Sequence, residues 1–329
     1  MTLTRRKFLS SSVILGSSIM LPKITQAAAA QGRVIVGYEN LAIGPIGQVL
    51  NQINTILGDY YKAYQYSFDE VIGNNTIKSM VEAKEGPADG SQLLFAFAPQ
   101  IDIFPEIYRK LPYDPLTDFK PLVLLGGYTF LITVGPAVDK SVKNIDDYAK
   151  WVDANPEYRN IGFAQYGSSG HVTMLMLARG KNIALRPQSY RSLTQLGADL
   201  ADGNLAAGIV LTGFNRKLYE NGTLRAIGTT SQFRHPGYHD IPTCREQGLN
   251  DIDISGWFGL FINAQTPEDR YNKLMYAYQN SVTRGDYLKV LQQNLFKPIF
   301  DNPEQITARI QKEQQFYRNV IEEYRISRL

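Results

Sequence analysis

The 329 residues are 44% hydrophobic and 20% charged, a globular balance long enough for one large domain or two lobes of about 100 to 150 residues each. The formal net charge of +3 rests on Arg5, Arg6, Lys7 and Lys23, and without those four the rest of the chain stands at about −1. A near-neutral body excludes a nucleic-acid partner, which needs a basic patch to neutralise phosphates, and a single cysteine, Cys244, excludes an internal disulfide.

In chain order, residues 1–30 come first. TRRKFLSSSVILGSSIMLPKITQAAAA has a basic start, a mildly apolar middle and a small-residue end, which is signal-peptide architecture. From Phe8 to Pro22 there are fifteen residues, five of them serine, too short and too polar for a membrane span of about 20 apolar residues. Cleavage near Ala28 to Ala30 gives a mature chain starting around Gln31.

RVIVG (33–37) reads as a buried strand. The helix after it has Gly44 and Pro45 at the cap and first turn, Ile46, Val49, Leu50, Ile53, Ile56 and Leu57 at helical spacing, and a stop at Gly58. AYQYSFDEV is a strand, TIKSMVEAK a helix and QLLFAFA (92–98) a strand. A Pro-rich connector leads to PLVLLGG and TFLITVGP, read as two strands. NIDDYAKWVDANP is a helix ending before Pro156, NIGFAQ a strand and SSGHVTMLMLARG a helix. SLTQLGADLADG is a helix, and LAAGIVL, TLRAIGTT and ISGWFGLFINA are strands. From Pro267 the pattern is mostly helical. The last helix has Asn302 as cap, Pro303 first, and Ile306, Ile310, Tyr317, Val320, Ile321 and Tyr324 on one face. Strands alternating with helices predict an α/β fold of parallel sheets covered on both sides, most economically as two lobes, each a central sheet flanked by helices.

In such sheets ligands bind beyond the carboxyl ends of the strands. Two Gly-bearing junctions qualify, GYENLAIGPIG (37–47) and AQYGSSGH (164–171). Each leads into a helix start, whose free N–H groups and positive dipole end suit carboxylates and phosphates.

Ser168, Ser169 and His171 in the second junction raise the question of a nucleophile. The glycines of Gly167-Ser168-Ser169-Gly170 are one residue too close for a nucleophile elbow, and a histidine two residues after a serine in a helical first turn points away from it. The serines read as an N-cap that can also face a ligand, and His171 as either a packed histidine or a ligand contact. The other histidines, His235 and His239, lie far along the chain. An exported serine hydrolase is therefore the weaker reading. No His/Cys cluster has metal-ligand spacing, and no nucleotide-binding glycine loop is present, so no cofactor is expected. Cys244, in IPTCREQGL, reads as a packed, inert thiol.

IYRKLPYDPLTDFKPLVLLG (107–126) closely resembles a signature stretch of the periplasmic solute-binding receptors of tripartite tricarboxylate transporters, the Bug family. KSVKNIDDYAKWVDANP, NIGFAQYGSSGH, NGTLRAIGTTSQFRHPGYHDIPTCREQGL and ISGWFGLFINAQTPEDRYNKL follow in the family's order, so the resemblance spans the mature chain. Thr4-Arg5-Arg6-Lys7-Phe8-Leu9 likewise resembles a twin-arginine export signal.

The family resemblance implies a two-lobe, Venus-flytrap binding protein of type II. Lobe 1 is expected at 31–129 plus 255–329 and lobe 2 at 130–254, with TFLITVGP and SGWFGLF crossing between them. It further implies a monomer that does no chemistry and delivers a small organic acid to membrane permease subunits from the periplasm. A sensory role beside a membrane sensor would use the same fold.

Candidate ligand-binding residues follow from the loops and the resemblance. The first loop supplies Tyr38, Glu39, Asn40 and Leu41, and the end of the 92–98 strand supplies Phe97 and Ala98. The second loop supplies Tyr166, Gly167, Ser168, Ser169 and His171. Tyr190 and Val210 complete the set. The loops depart from the family pattern: the first lacks the double glycine and the acid after it and gains Glu39, the second is shortened, and Val210 stands where relatives often carry Asp. These departures favour an aromatic or less charged acid as much as a plain dicarboxylate. If Glu39 faces the pocket rather than the rim, it repels an anion and favours a donor group.

Overall fold

The computed structural model describes residues 29–329, so the leader falls outside them except for its last two residues, of which Ala30 already pairs with Tyr64. The chain alternates strands and helices through its first two-thirds. It begins β1 (Ala30–Val36), α1 (Pro45–Tyr60), β2 (Tyr64–Glu70), α2 (Ile77–Glu85) and β3 (Gln92–Phe97). It continues α3 (Ala98–Asp102), α4 (Phe104–Ile107), β4 (Phe119–Val134), α5 (Ile145–Ala154), β5 (Asn160–Ala164) and α6 (Ser169–Gly180). Then come β6 (Arg186–Tyr190), α7 (Leu193–Ala201), β7 (Ala207–Leu211), α8 (Arg216–Glu220), β8 (Arg225–Thr229) and β9 (Ser255–Asn263). Three helices close the chain: α9 (Glu268–Ser281), α10 (Gly285–Gln293) and α11 (Pro303–Glu323).

The strands lie in the order β2-β1-β3-β9-β4-β7-β5-β6, with β8 also on β4. The expectation of parallel sheets is corrected here: β1 runs parallel to β2 and β3, and β5 to β6 and β7, but every pairing of β4 and β9 is antiparallel. PLVLLGG and TFLITVGP are not two strands but one of 16 residues, β4. The glycine pair between them looks like a turn in sequence and serves close approach in the fold: a Cβ on Gly126 would sit 2.9 Å from the Phe258 ring. Up to Thr129, β4 pairs with β9; from Phe130 to Val134 it lies between β7 and β8. One strand therefore belongs to both halves of the sheet, whereas β9 pairs only on the β3 side.

Burial explains most of the elements. All six apolar residues assigned to α1 are buried on one face, although the helix continues through Gly58 to Tyr60. In α11 the Asn302 side chain accepts from the Gln305 N–H at 2.8 Å while Gln305 bonds back to the Asn302 N–H, a complete capping box. Ile306, Ile310, Tyr317, Val320 and Ile321 are its buried face, and Tyr324 sits half-buried just past the end. β6, reading RPQSY, carries no apolar alternation because it is an edge strand, where proline is tolerated. Cys244 is fully buried, and burial pushes its thiol up to about 12, as expected of an inert packed cysteine. Among the described residues no helix is long and apolar enough to cross a membrane, and no group of acids, histidines and cysteine is placed to hold a metal ion.

Candidate functional site

A cavity of about 560 Å3 opens where the two halves of the sheet meet. Both predicted loops reach it, and each turns on a residue in the left-handed region that is not glycine: Asn40 at φ 56° and Gln165 at φ 62°. Such backbone is held at a cost of about 1–3 kcal/mol and gathers at binding sites. The first loop enters α1 with Gly44 as N-cap and Pro45 at the first position. The second enters α6 with Ser168 as N-cap, its Oγ accepting the His171 N–H at 3.2 Å. A third helix start, that of α7, also faces the cavity through Arg191, Ser192, Leu193 and Thr194. The helix itself was expected, as SLTQLGADLADG, but β6 before it leaves no apolar period, so the facing of its start toward the cavity was not legible.

Seven of the candidate residues line the cavity together: Tyr38, Glu39, Asn40 and Leu41 from the first loop, Phe97 from β3, and Ser168 and Ser169 from the second loop. Tyr38, Phe97, Tyr128 and Phe130 form a continuous aromatic floor, with successive ring centroids 4.9, 5.7 and 5.5 Å apart. The Tyr38 hydroxyl donates to Gln100 at 3.2 Å, and burial raises its pKa. Leu211, the cross-strand partner of Phe130, continues this floor with Ile209, and Leu193 and Phe214 add to the wall.

The other six candidates lie off the cavity wall. Strands alternate faces, so Ile209 and Leu211 point to the cavity and Val210 packs behind them with Leu196, Leu200 and Leu224. Tyr190 is likewise one residue short of the wall: its hydroxyl donates to Asp199 at 2.8 Å and accepts from Gln188, and Arg191 takes the exposed place. Ala98 is buried under the floor while Pro99 lines it. Tyr166 points away, its carbonyl accepting from Asn75 at 2.9 Å, while Gln165 faces in. Gly167 packs toward Phe104 and Ile107.

His171 resolves to the packed alternative. Its ring stacks on Phe163 at 4.8 Å, and Nδ1 accepts the Gly167 N–H at 3.3 Å. A ring nitrogen accepting from backbone is unprotonated, and burial lowers the imidazole pKa to about 4. Among the described residues its ring bonds to neither serine. Ser169 is instead reached by the Tyr317 hydroxyl, 3.5 Å away on α11. The arrangement can hold an anion at helix starts.

Residues 70–326 match the family described as tripartite tricarboxylate transporter family receptor. In sequence the chain is similar to the UPF0065 protein in the tcbD-tcbE intergenic region of Pseudomonas sp. (strain P51), 27% identical and aligned over 80% of this chain and 78% of that one. In fold it is similar to a Rhodopseudomonas palustris protein determined with adipate, at TM-score 0.83 and 20% identity over 91% of this chain and 99% of that one. A second Rhodopseudomonas palustris structure, MatC with bound malate, gives TM-score 0.78 and 20% identity over 90% and 99% of the two chains. With residues 70–326 matched and the α/β architecture shared, the chain belongs to the tripartite tricarboxylate transporter receptor family.

Proposed function

We propose that this protein is a periplasmic solute-binding receptor that captures a small organic acid in the cavity and presents it to membrane permease subunits of a tripartite transporter. It would be exported by its twin-arginine leader and work as a monomer without turnover. The lobes would be residues 31–129 with 255–329, and 130–254, closing on the ligand about β4. The observation that carries this reading is the convergence of three helix starts, one from the first half of the sheet and two from the second, on one cavity. Helix starts favour anions, and two similar folds were determined with the carboxylates adipate and malate.

A thermal-shift panel of mono-, di- and tricarboxylates, aromatic acids and amino acids tests it. An acid at 100 times its Kd adds about 2.7 kcal/mol, a rise in Tm of about 4–5 °C for a chain of this size. A flat panel, or hydrolysis of a chromogenic ester that is lost in Ser168→Ala or Ser169→Ala, contradicts the receptor reading.

A further inference from the structure

The cavity wall is chemically lopsided. Among the described residues, Arg191 is the one cation that lines it and Glu39 the one anion, and they come from opposite halves of the sheet. Arg191 stands at the end of β6, directly before the Ser192 cap of α7, is exposed, and takes part in no ion pair with a described residue. Around it are the starts of α6 and α7. Their cap hydroxyls, Ser168 and Ser192, each accept a backbone N–H at 3.2 Å and so keep their own proton to donate. That side offers a guanidinium, two hydroxyl donors and two positive helix ends, a full carboxylate site.

The facing side offers the reverse. Its helix start, at Gly44, carries about half a positive charge, and Glu39 in the loop leading to it brings a whole negative one. Between the two sides lies the aromatic floor, continued across β7 by Leu211 and Ile209, with Phe214 also on the wall. A cavity of about 560 Å3 is far larger than a four-carbon diacid requires.

We infer that the ligand is a monocarboxylic acid with an aromatic or similarly broad apolar body and a hydroxyl or amine at its far end. Its carboxylate pairs with Arg191, its body lies on Tyr128, Phe130 and Phe97, and its far end donates to Glu39. A second carboxylate there meets Glu39 and is rejected. This rests on the receptor reading and narrows it.

The test is calorimetry with three probes that differ only at one ring position: 3-phenylpropionate, 3-(4-hydroxyphenyl)propionate and 3-(4-carboxyphenyl)propionate, with succinate and malate beside them. The hydroxy acid is expected to bind at least about tenfold more tightly than the diacid, the size of one charge-assisted contact. Glu39→Gln narrows that gap by improving the diacid. Arg191→Met weakens the hydroxy acid about tenfold or more while the unliganded Tm stays unchanged, since Arg191 is exposed. Succinate or malate binding while the ring acids do not would overturn this inference and keep the receptor reading. Binding by none of the acids would overturn both. Unchanged affinity in Arg191→Met would also overturn the inference.

Discussion

Gly213→Ala is expected to weaken ligand binding by about tenfold or more and to lower stability by on the order of 2–5 kcal/mol. Gly213 follows β7 and has φ 96°, a conformation that side chains with a Cβ rarely adopt. A Cβ there would also run into the carbonyl oxygen of Asn294. Asn294 belongs to the other half of the molecule, where its side chain donates to Gln48 of α1 at 3.0 Å. The same turn is also held by the segment after β8, with the Leu295 carbonyl 3.2 Å from His235 Nε2. Gly213 is thus a place where backbone from the two halves approaches closely, beside the cavity-lining Leu211 and Phe214. The added methyl acts as a wedge: it strains the fold and also holds the halves apart where the ligand must be enclosed. Urea denaturation reads the first effect and calorimetry the second. Full affinity in a destabilised Gly213→Ala protein would show that enclosure does not depend on this seam.

Acid is expected to destabilise the protein through His171 by up to about 3 kcal/mol, the linkage equivalent of a pKa of 6.5 in the unfolded chain and about 4 in the folded one. The sign follows from which state takes the proton. Above pH 6.5 the ring is neutral in both states and the stability is fully present. Between 6.5 and about 4 only the unfolded chain binds the proton, so stability falls through that window and levels off below it. Protonation would also break the Gly167 N–H to Nδ1 bond that pins the second loop. His171→Gln keeps an acceptor for Gly167 and removes the titration. Comparing the two proteins in urea at pH 7 and pH 4.5 isolates His171 from His235, whose pKa burial also lowers. An equal loss of stability in both proteins would mean that His171 is not the acid-sensitive group.

What the sequence disclosed and what it hid divide along physical lines. Elements that bury a face leave a period, and α1 and α11 were readable down to their caps. Elements without a buried period did not show. The edge strand β6, the short helices α3 and α4 in the Pro-rich connector, and α8 were absent from the expectation. The consequence reached the site. Both expected cavity loops were found because glycine and proline mark them, but the third, between β6 and α7, was missed together with Arg191. Elsewhere the error was one residue: Val210 for Ile209 and Leu211, Tyr190 for Arg191, Tyr166 for Gln165, Ala98 for Pro99. Position along a loop or strand is legible, but facing depends on register, which partner strands set. His171 shows the same limit, because whether an imidazole is packed or presented depends on Phe163 behind it.

The claim that the cavity holds the ligand is tested most directly by blocking it. Ala198 lies on the cavity side of α7 and is exposed there, so a larger side chain enters the cavity without disturbing the core. Calorimetry of the acid that raises Tm most, titrated into the unmodified protein and into Ala198→Phe, should show one saturable site in the first and none in the second. Equal heats in both would place the ligand elsewhere and contradict the account.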